Sequence, residues 1–90
     1  MKWTIKRTDT FLSAFSHIRS NPAFIRELGK KIQRLKEDPQ HVGGWLHGKL
    51  HGKKSTRIAN KYRLIFSIEE ESHTVFLLMI DHREKIYHRK

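Results

Sequence analysis

Residues 54–69 read KSTRIANKYRLIFSIE, two alternating segments on either side of a short polar break. In the first segment Thr56 and Ile58 share one face, while Ser55 and Arg57 share the other, as in a strand with one buried side. The second segment alternates in the same way, and its apolar face comprises Tyr62, Leu64, Phe66 and Ile68. The sequence therefore predicts an antiparallel β-hairpin.

The length of the turn sets the register of this hairpin. A two-residue turn would pair Ile58 with Arg63 and mix the apolar and charged faces, which a half-buried sheet does not tolerate. The three-residue loop Ala59–Lys61 instead pairs Ile58 with Tyr62 and Arg57 with Arg63. Directly opposed like charges destabilise a strand pair by some tenths of a kcal/mol to about 1 kcal/mol. Two interpretations follow: the guanidinium groups point apart into water, or a phosphate group binds between them.

The remaining elements follow from the same periodicities. Residues 2–7 alternate as a strand, and residues 11–18 carry apolar side chains at helical spacing. A second helix begins at Asn21-Pro22 and ends at Asp38-Pro39. A glycine-rich loop occupies residues 40–53, with Trp45 and Leu50 expected to pin it onto the core, and a third strand, 74–80, is apolar on both faces. We expect one α+β domain, residues 1–90, of order β-α-α-β-β-β, with a helical hairpin on one face of a small antiparallel sheet.

Composition limits the function. Nineteen Lys and Arg against nine Asp and Glu give a formal charge of +10, which favours a polyanionic partner, nucleic acid first. No apolar run approaches the roughly 20 residues that span a bilayer, and the N-terminus lacks signal-peptide features, so we expect a cytoplasmic protein without membrane contact. Cysteine is absent, and the spacing of His41, His47 and His51 matches no zinc pattern. We expect neither a metal site nor a cofactor.

A family resemblance extends over essentially the whole chain. It rests on Leu50-x-Gly52, Arg57-Ile58, Tyr62-Arg63-Leu64-Ile65-Phe66 and Asp81-His82-Arg83-x-x-Ile86-Tyr87. Together these segments resemble the RelE/ParE toxin superfamily, and the spacing around Ser55-x-Arg57-Ile58 is closest to its YoeB-like branch. The resemblance implies a microbial-RNase-like fold and the toxin of a type II toxin–antitoxin system. Its partners would be an acidic, RelB-like antitoxin, the ribosome with mRNA, and operator DNA only through the toxin–antitoxin complex.

Many toxins of this superfamily are ribosome-dependent mRNA endoribonucleases that use no metal. The 2′-hydroxyl of the RNA attacks the adjacent phosphorus and leaves a 2′,3′-cyclic phosphate. By position the resemblance implies a catalytic set of Arg57, Arg63, Arg83, Tyr87 and His88. Arginine suits a phosphorane because its planar fork binds two oxygens and stays charged, while the tyrosine ring would orient a nucleotide. Five further basic residues are predicted to bind RNA: Lys49, Lys53, Lys54, Lys61 and His82.

The general base is not assigned by the resemblance. The YoeB-like branch has a glutamate before its second strand, whereas this chain reads Gly43-Gly44-Trp45-Leu46 there. His88 is either an acid or base or a solvated tail residue. Two other functions stay open: a ParE-like, non-enzymatic inhibitor of DNA gyrase, and a basic module that binds ribosomal RNA.

Overall fold

The computed structural model describes residues 2–82 as two helices packed on one face of a five-stranded sheet. The strands are β1 (Thr4–Arg7), β2 (Gly44–Trp45), β3 (Lys54–Ile58), β4 (Tyr62–Glu69) and β5 (Thr74–His82). The helices are α1 (Asp9–Ser16) and α2 (Pro22–Glu37), and two short 3-10 turns cover Pro39–His41 and Gly48–Leu50. The order in the sheet is β1-β5-β4-β3-β2. This arrangement confirms the α+β class and the placement of the helices.

The sheet is mixed, which corrects the prediction of an antiparallel sheet. β1 runs parallel to β5, while the other pairs are antiparallel. Alternation identified β1 as a strand but carried no information about its partner or its direction. Thr8 fixes this end of β1, since its hydroxyl donates to the Leu77 carbonyl at 2.8 Å and accepts the Phe11 amide at 3.2 Å as the N-cap of α1.

The core lies between the helices and the face of the sheet beneath them. α2 begins as predicted, with Pro22 in its first turn and the Asn21 side chain accepting the Phe24 amide at 3.1 Å. The buried cluster includes Phe11, Phe24, Leu28, Leu35, Ile58, Leu64, Phe66, Val75 and Leu77. Each such side chain contributes roughly 1.5–3 kcal/mol relative to exposure, so this layer holds the helices in place.

The β3–β4 hairpin has the predicted register. Ile58 pairs with Tyr62 and Arg57 with Arg63 across a three-residue loop, in which Ala59 and Asn60 have φ values of 53° and 65°. These residues adopt the left-handed conformation that tight turns require. The two arginines therefore start from opposed positions on neighbouring strands.

The β4–β5 pair contains a bulge. Ile65 pairs with Met79 but Phe66 pairs with Leu77, which leaves Leu78 as the extra residue of β5. The bulge changes the register for the rest of the pair, so that Arg63 lies opposite Asp81. Over residues 2–82, none of the helices has the length and apolar character needed to cross a membrane.

Candidate functional site

The face of the sheet opposite the helices, here called the open face, carries a row of charged residues. Arg57 of β3, Arg63 of β4 and Asp81 of β5 are successive cross-strand partners. Their side chains leave the sheet on the same side because each follows or precedes a residue of the helix-facing core. Directly opposed partners lie about 4.5–5.5 Å apart at their Cα atoms. We call this set the arginine row.

Part of the Arg63 guanidinium group has no hydrogen-bond partner among the residues that the structure describes. The side chain is half-buried, and its Nε atom is buried with no hydrogen-bond partner in the described part of the chain. The ion pairs found within residues 2–82 all lie elsewhere, so none joins Arg63 to Asp81. A buried donor left unpaired costs about 1–3 kcal/mol. Such a donor is suited to an incoming anion.

Arg57 is exposed and lies where the open face meets a second surface. Beside it, a groove of about 510 Å³ runs between α2 and the hairpin loop and is also lined by Glu27 and Lys31. Arg57 and Arg63 therefore share a register position but differ in burial. The opposed backbone positions are observed, and the convergence of both guanidinium groups on one phosphate stays a prediction.

A cavity of about 320 Å³ adjoins the arginine row on the open face. Its lining comprises Thr8, Thr10, Leu50, Lys53, Ile65, Leu78 and Met79. Lys53 thus lies on the same side of the sheet as the arginine row. Lys61 is exposed in the hairpin loop next to the row, and Lys49 is exposed in the 3-10 turn before Lys53.

Lys54 does not lie with these cations, contrary to its predicted place in an RNA-binding set. Its side chain points to the helix side of β3 and is only 2% exposed. The ammonium group donates to the Gln40 carbonyl at 2.6 Å and lies 5.0 Å from the centre of the Trp45 ring. Burial lowers the pKa of Lys54, and the nearby charge of Asp38 partly offsets this effect. Lys54 ties the segment before β3 to the sheet.

His82 also lies on the helix side of the sheet. Its ring meets Tyr62 edge-on with 5.0 Å between centroids, and Tyr62 packs in the same way on Phe24 at 5.1 Å. His82 therefore lies apart from the arginine row, and its role in RNA binding stays a prediction. The expectation for Trp45 was wrong too, because this side chain is 59% exposed on the edge strand instead of packed on the core.

Asp81 is the residue that sequence reasoning did not place in the site. Counting back from the β4–β5 turn without a bulge would pair Arg63 with Ile80, since Glu69 pairs with Thr74. The extra residue at Leu78 moves Asp81 into the row instead. No residue pattern in this strand marks the bulge. Arg83, Tyr87 and His88 lie outside the described residues, so their roles stay predictions.

Comparison with known proteins places this architecture in a family. A family profile described as the ParE toxin of the type II toxin–antitoxin system parDE matches residues 5–87. The chain belongs to this toxin family, within the RelE/ParE superfamily.

Among its relatives is toxin RelG of Mycobacterium tuberculosis, 42% identical over 55 residues. That match covers 61% of this chain and 62% of RelG, so it spans less than two thirds of the relative.

Solved structures share the fold. The RelBE2 toxin–antitoxin complex of M. tuberculosis contains a chain 30% identical to this one, with a TM-score of 0.69 over 92% of this chain and 100% of that one. A YoeB/ParE toxin from Agrobacterium tumefaciens has a TM-score of 0.75 at 16% identity, over 88% of this chain and 96% of its own. The second likeness concerns the fold alone.

Proposed function

We propose that this protein is the toxin of a type II toxin–antitoxin pair and acts as a metal-independent endoribonuclease on mRNA at the ribosome. The observation that carries the proposal is the arginine row, with Arg57 opposite Arg63 and a buried Arg63 Nε that has no hydrogen-bond partner within residues 2–82. Without an anionic ligand this arrangement would be a net cost to folding. A phosphodiester between the two strands would remove the cost.

The chemistry asks for concentrated positive charge and for proton transfer. When the 2′-oxygen attacks phosphorus, the phosphorane gains negative charge, and fixed cations around it are the largest available catalytic term. Arg63 and Arg57 would supply that charge at two oxygens, with Arg83 as a third cation. The P–O5′ bond then breaks, which leaves a 2′,3′-cyclic phosphate, and the departing 5′-oxygen takes up a proton to become the 5′-hydroxyl.

Two side chains are candidates for the group that accepts the 2′-hydroxyl proton. Asp81 is the carboxylate of the arginine row, beside Arg63. His88 is the candidate from the sequence, with Tyr87 as the ring that orients the nucleotide. The variants Asp81→Asn and His88→Gln separate them: removal of the base lowers the rate and abolishes the limb of the pH–rate profile that it causes.

The proposed partners are an acidic antitoxin and the ribosome with its mRNA, in the cytoplasm. A formal charge of +10 favours both, since each would present negative charge to the basic surface. The RelBE2 structure from M. tuberculosis is a toxin–antitoxin complex, and a fold neighbour from Staphylococcus aureus was solved as a YoeB–YefM complex. Operator DNA would be contacted only through the toxin–antitoxin complex. Co-expression with the neighbouring gene and co-purification of a small acidic protein tests the first partner.

Cleavage in a translating extract tests the activity. Full-length protein should produce ribosome-dependent cuts with cyclic phosphate ends, and Arg63→Ala should cleave about 10²–10³-fold more slowly while still binding ribosomes. Arg26→Ala, which removes one exposed charge from α2, is the matched control and should leave cleavage unchanged. Ribosome binding without any cleavage by the unmodified protein would leave only the rRNA-binding module. Inhibition of gyrase without RNA cleavage would establish the ParE-like alternative, which the name of the matching family keeps open.

A further inference from the structure

We infer that the cavity beside the arginine row is a nucleobase site, which takes the base of a nucleotide adjoining the scissile phosphate. It favours bases that present a carbonyl oxygen to Lys53, namely guanine, cytosine and uracil, over adenine. The identity of the phosphate as scissile rests on the proposed function. The existence of the base site does not, because it is argued from the cavity itself.

The cavity has the size and lining of a small-ligand site. Its volume of about 320 Å³ falls at the lower end of the roughly 300–1,000 Å³ typical of such sites. Leu50, Leu78 and Met79 supply an apolar surface in a chain whose mean hydropathy is −0.69, while Ile65, which also lines the cavity, is fully buried. An apolar hollow on so charged a protein is a candidate recognition surface. The flat faces of a base fit such walls, and a methionine sulfur contacts aromatic rings favourably.

The cavity lies at the distance from the arginine row that one nucleotide requires. Ile65 and Met79 are cross-strand partners, each two residues from the pair Arg63 and Asp81 on the same face. Two residues along a strand span roughly 6–7 Å. That separation is comparable to the distance between the phosphate and the base of a single nucleotide. A phosphate bound at Arg63 therefore brings its own base over the cavity.

Polar groups at the rim can read the edge of the base. The Thr8 hydroxyl is already committed to the Leu77 carbonyl and the α1 cap. The side chains of Thr10 and Lys53 have no polar partner among residues 2–82 and line the same cavity. An ammonium group donates hydrogen bonds and accepts none, so it matches the carbonyl oxygens of guanine, cytosine and uracil, whereas adenine has no carbonyl oxygen and offers only ring nitrogens as acceptors. This asymmetry gives the expected base preference.

Methyl NMR on the full-length chain tests the site without requiring cleavage. The probes are four 2′-deoxydinucleoside monophosphates, which lack the attacking 2′-hydroxyl and cannot be cleaved. Both bases of a probe are the same, and the four probes carry guanine, cytosine, uracil and adenine. Binding should shift the methyl signals of Ile65 and Met79 and leave Val75, on the helix side of the sheet, unchanged. The adenine probe should bind most weakly. Signals that move only around Arg63, with the cavity methyls unmoved, would overturn the inference.

Filling the cavity provides the matched comparison. Leu50→Trp should weaken binding of the guanine probe by about tenfold or more, as expected for loss of one base contact. Leu12→Trp makes the same change on an exposed residue of α1 outside the cavity lining and should bind like the native chain. Thr10→Phe is a second plug at an exposed rim position if Leu50→Trp does not fold. Unchanged binding by either folded plug contradicts the inference.

Lys53→Met tests whether the Lys53 ammonium group recognises the edge of the base. It keeps the apolar stem of the side chain and removes the donor, so the preference for guanine over adenine should disappear. Equal weakening of all four probes would instead make Lys53 a phosphate ligand and overturn the proposed preference. Methyl shifts in a chain that never cuts RNA would refute the proposed function and leave the base site standing. RNA cleavage without these methyl shifts would refute the base site and leave the proposed function standing.

Discussion

Replacing Arg57 with glutamine is expected to make the folded protein more stable and less active. Arg57 and Arg63 are directly opposed on β3 and β4, and such like-charge pairs cost some tenths of a kcal/mol to about 1 kcal/mol. Glutamine removes the charge and keeps a long polar side chain. For a domain of this size about 1 kcal/mol corresponds to about 4–8 °C in Tm. We therefore expect Tm to rise by roughly 1–8 °C, while RNA cleavage falls.

Thermal unfolding followed by circular dichroism measures this gain. Arg26→Gln removes one charge from an exposed position of α2 and is the matched control, expected to change stability by less than about 0.5 kcal/mol. Inorganic phosphate should raise the Tm of the native chain more than that of Arg57→Gln, because a ligand that binds only the folded state stabilises it more the more tightly it binds. High salt should reduce the increase in Tm caused by Arg57→Gln, because it screens the repulsion between Arg57 and Arg63 in the native chain.

The reasoning fails if the two variants melt together and phosphate stabilises all three proteins equally. In that case the guanidinium groups point apart into water, and the opposed register has no electrostatic consequence. A loss of cleavage by Arg57→Gln without any gain in stability would separate the two effects. It would keep Arg57 as a ligand of RNA and remove the argument that the pair is strained.

Three further predictions concern the segment before and within β3. Burial lowers the pKa of Lys54 below its usual 10.5, so the folded chain releases this proton at a lower pH than the unfolded chain does. The free energy of unfolding of the native protein, relative to that of Lys54→Met, should therefore rise with pH up to about 10.5. Urea unfolding at a series of pH values measures this rise. Gly43→Ala should disrupt the β2–β3 contact, since the added Cβ would overlap the Ser55 carbonyl oxygen at a residue with φ +67°, and should cost at least about 1–3 kcal/mol. Gly44→Ala, where a Cβ meets nothing within 4 Å, is its control in the same denaturation assay, and an equal loss would contradict the steric account. Trp45→Ala should cost no more than about 1 kcal/mol of unfolding free energy, because the exposed ring makes a cation–π contact with Lys54 but does not pack in the core.

The sequence predicted the hairpin register because two local rules agreed there. Apolar faces had to match across the strands, and only an odd loop achieved this for Ile58 and Tyr62. Such local rules do not say which strands far apart in the sequence pair with each other, so the parallel pairing of β1 with β5 was missed. The bulge at Leu78 was missed as well, and with it the approach of Asp81 to Arg63.

Lys54 shows a different limit of sequence reasoning. A lysine in a basic strand is expected at the surface, since charged side chains are seldom buried without partners. Its partners here are main-chain carbonyls of residues 39 and 40, which no side-chain pattern reveals. The alternation of β3 did contain the signal, because Lys54 shares its parity with Thr56 and Ile58 and so had to face the helices.

The pairing of β1 with β5 also constrains when the protein can fold during its synthesis. Thr4 to Arg7 align with Thr74 to Leu77, a separation of some 70 positions that must close as one loop. The entropy of that closure is offset only when both segments are available. A nascent chain on the ribosome therefore cannot complete this sheet until β5 has been translated and has left the ribosome, so β1 waits for its partner while some 70 further residues are added.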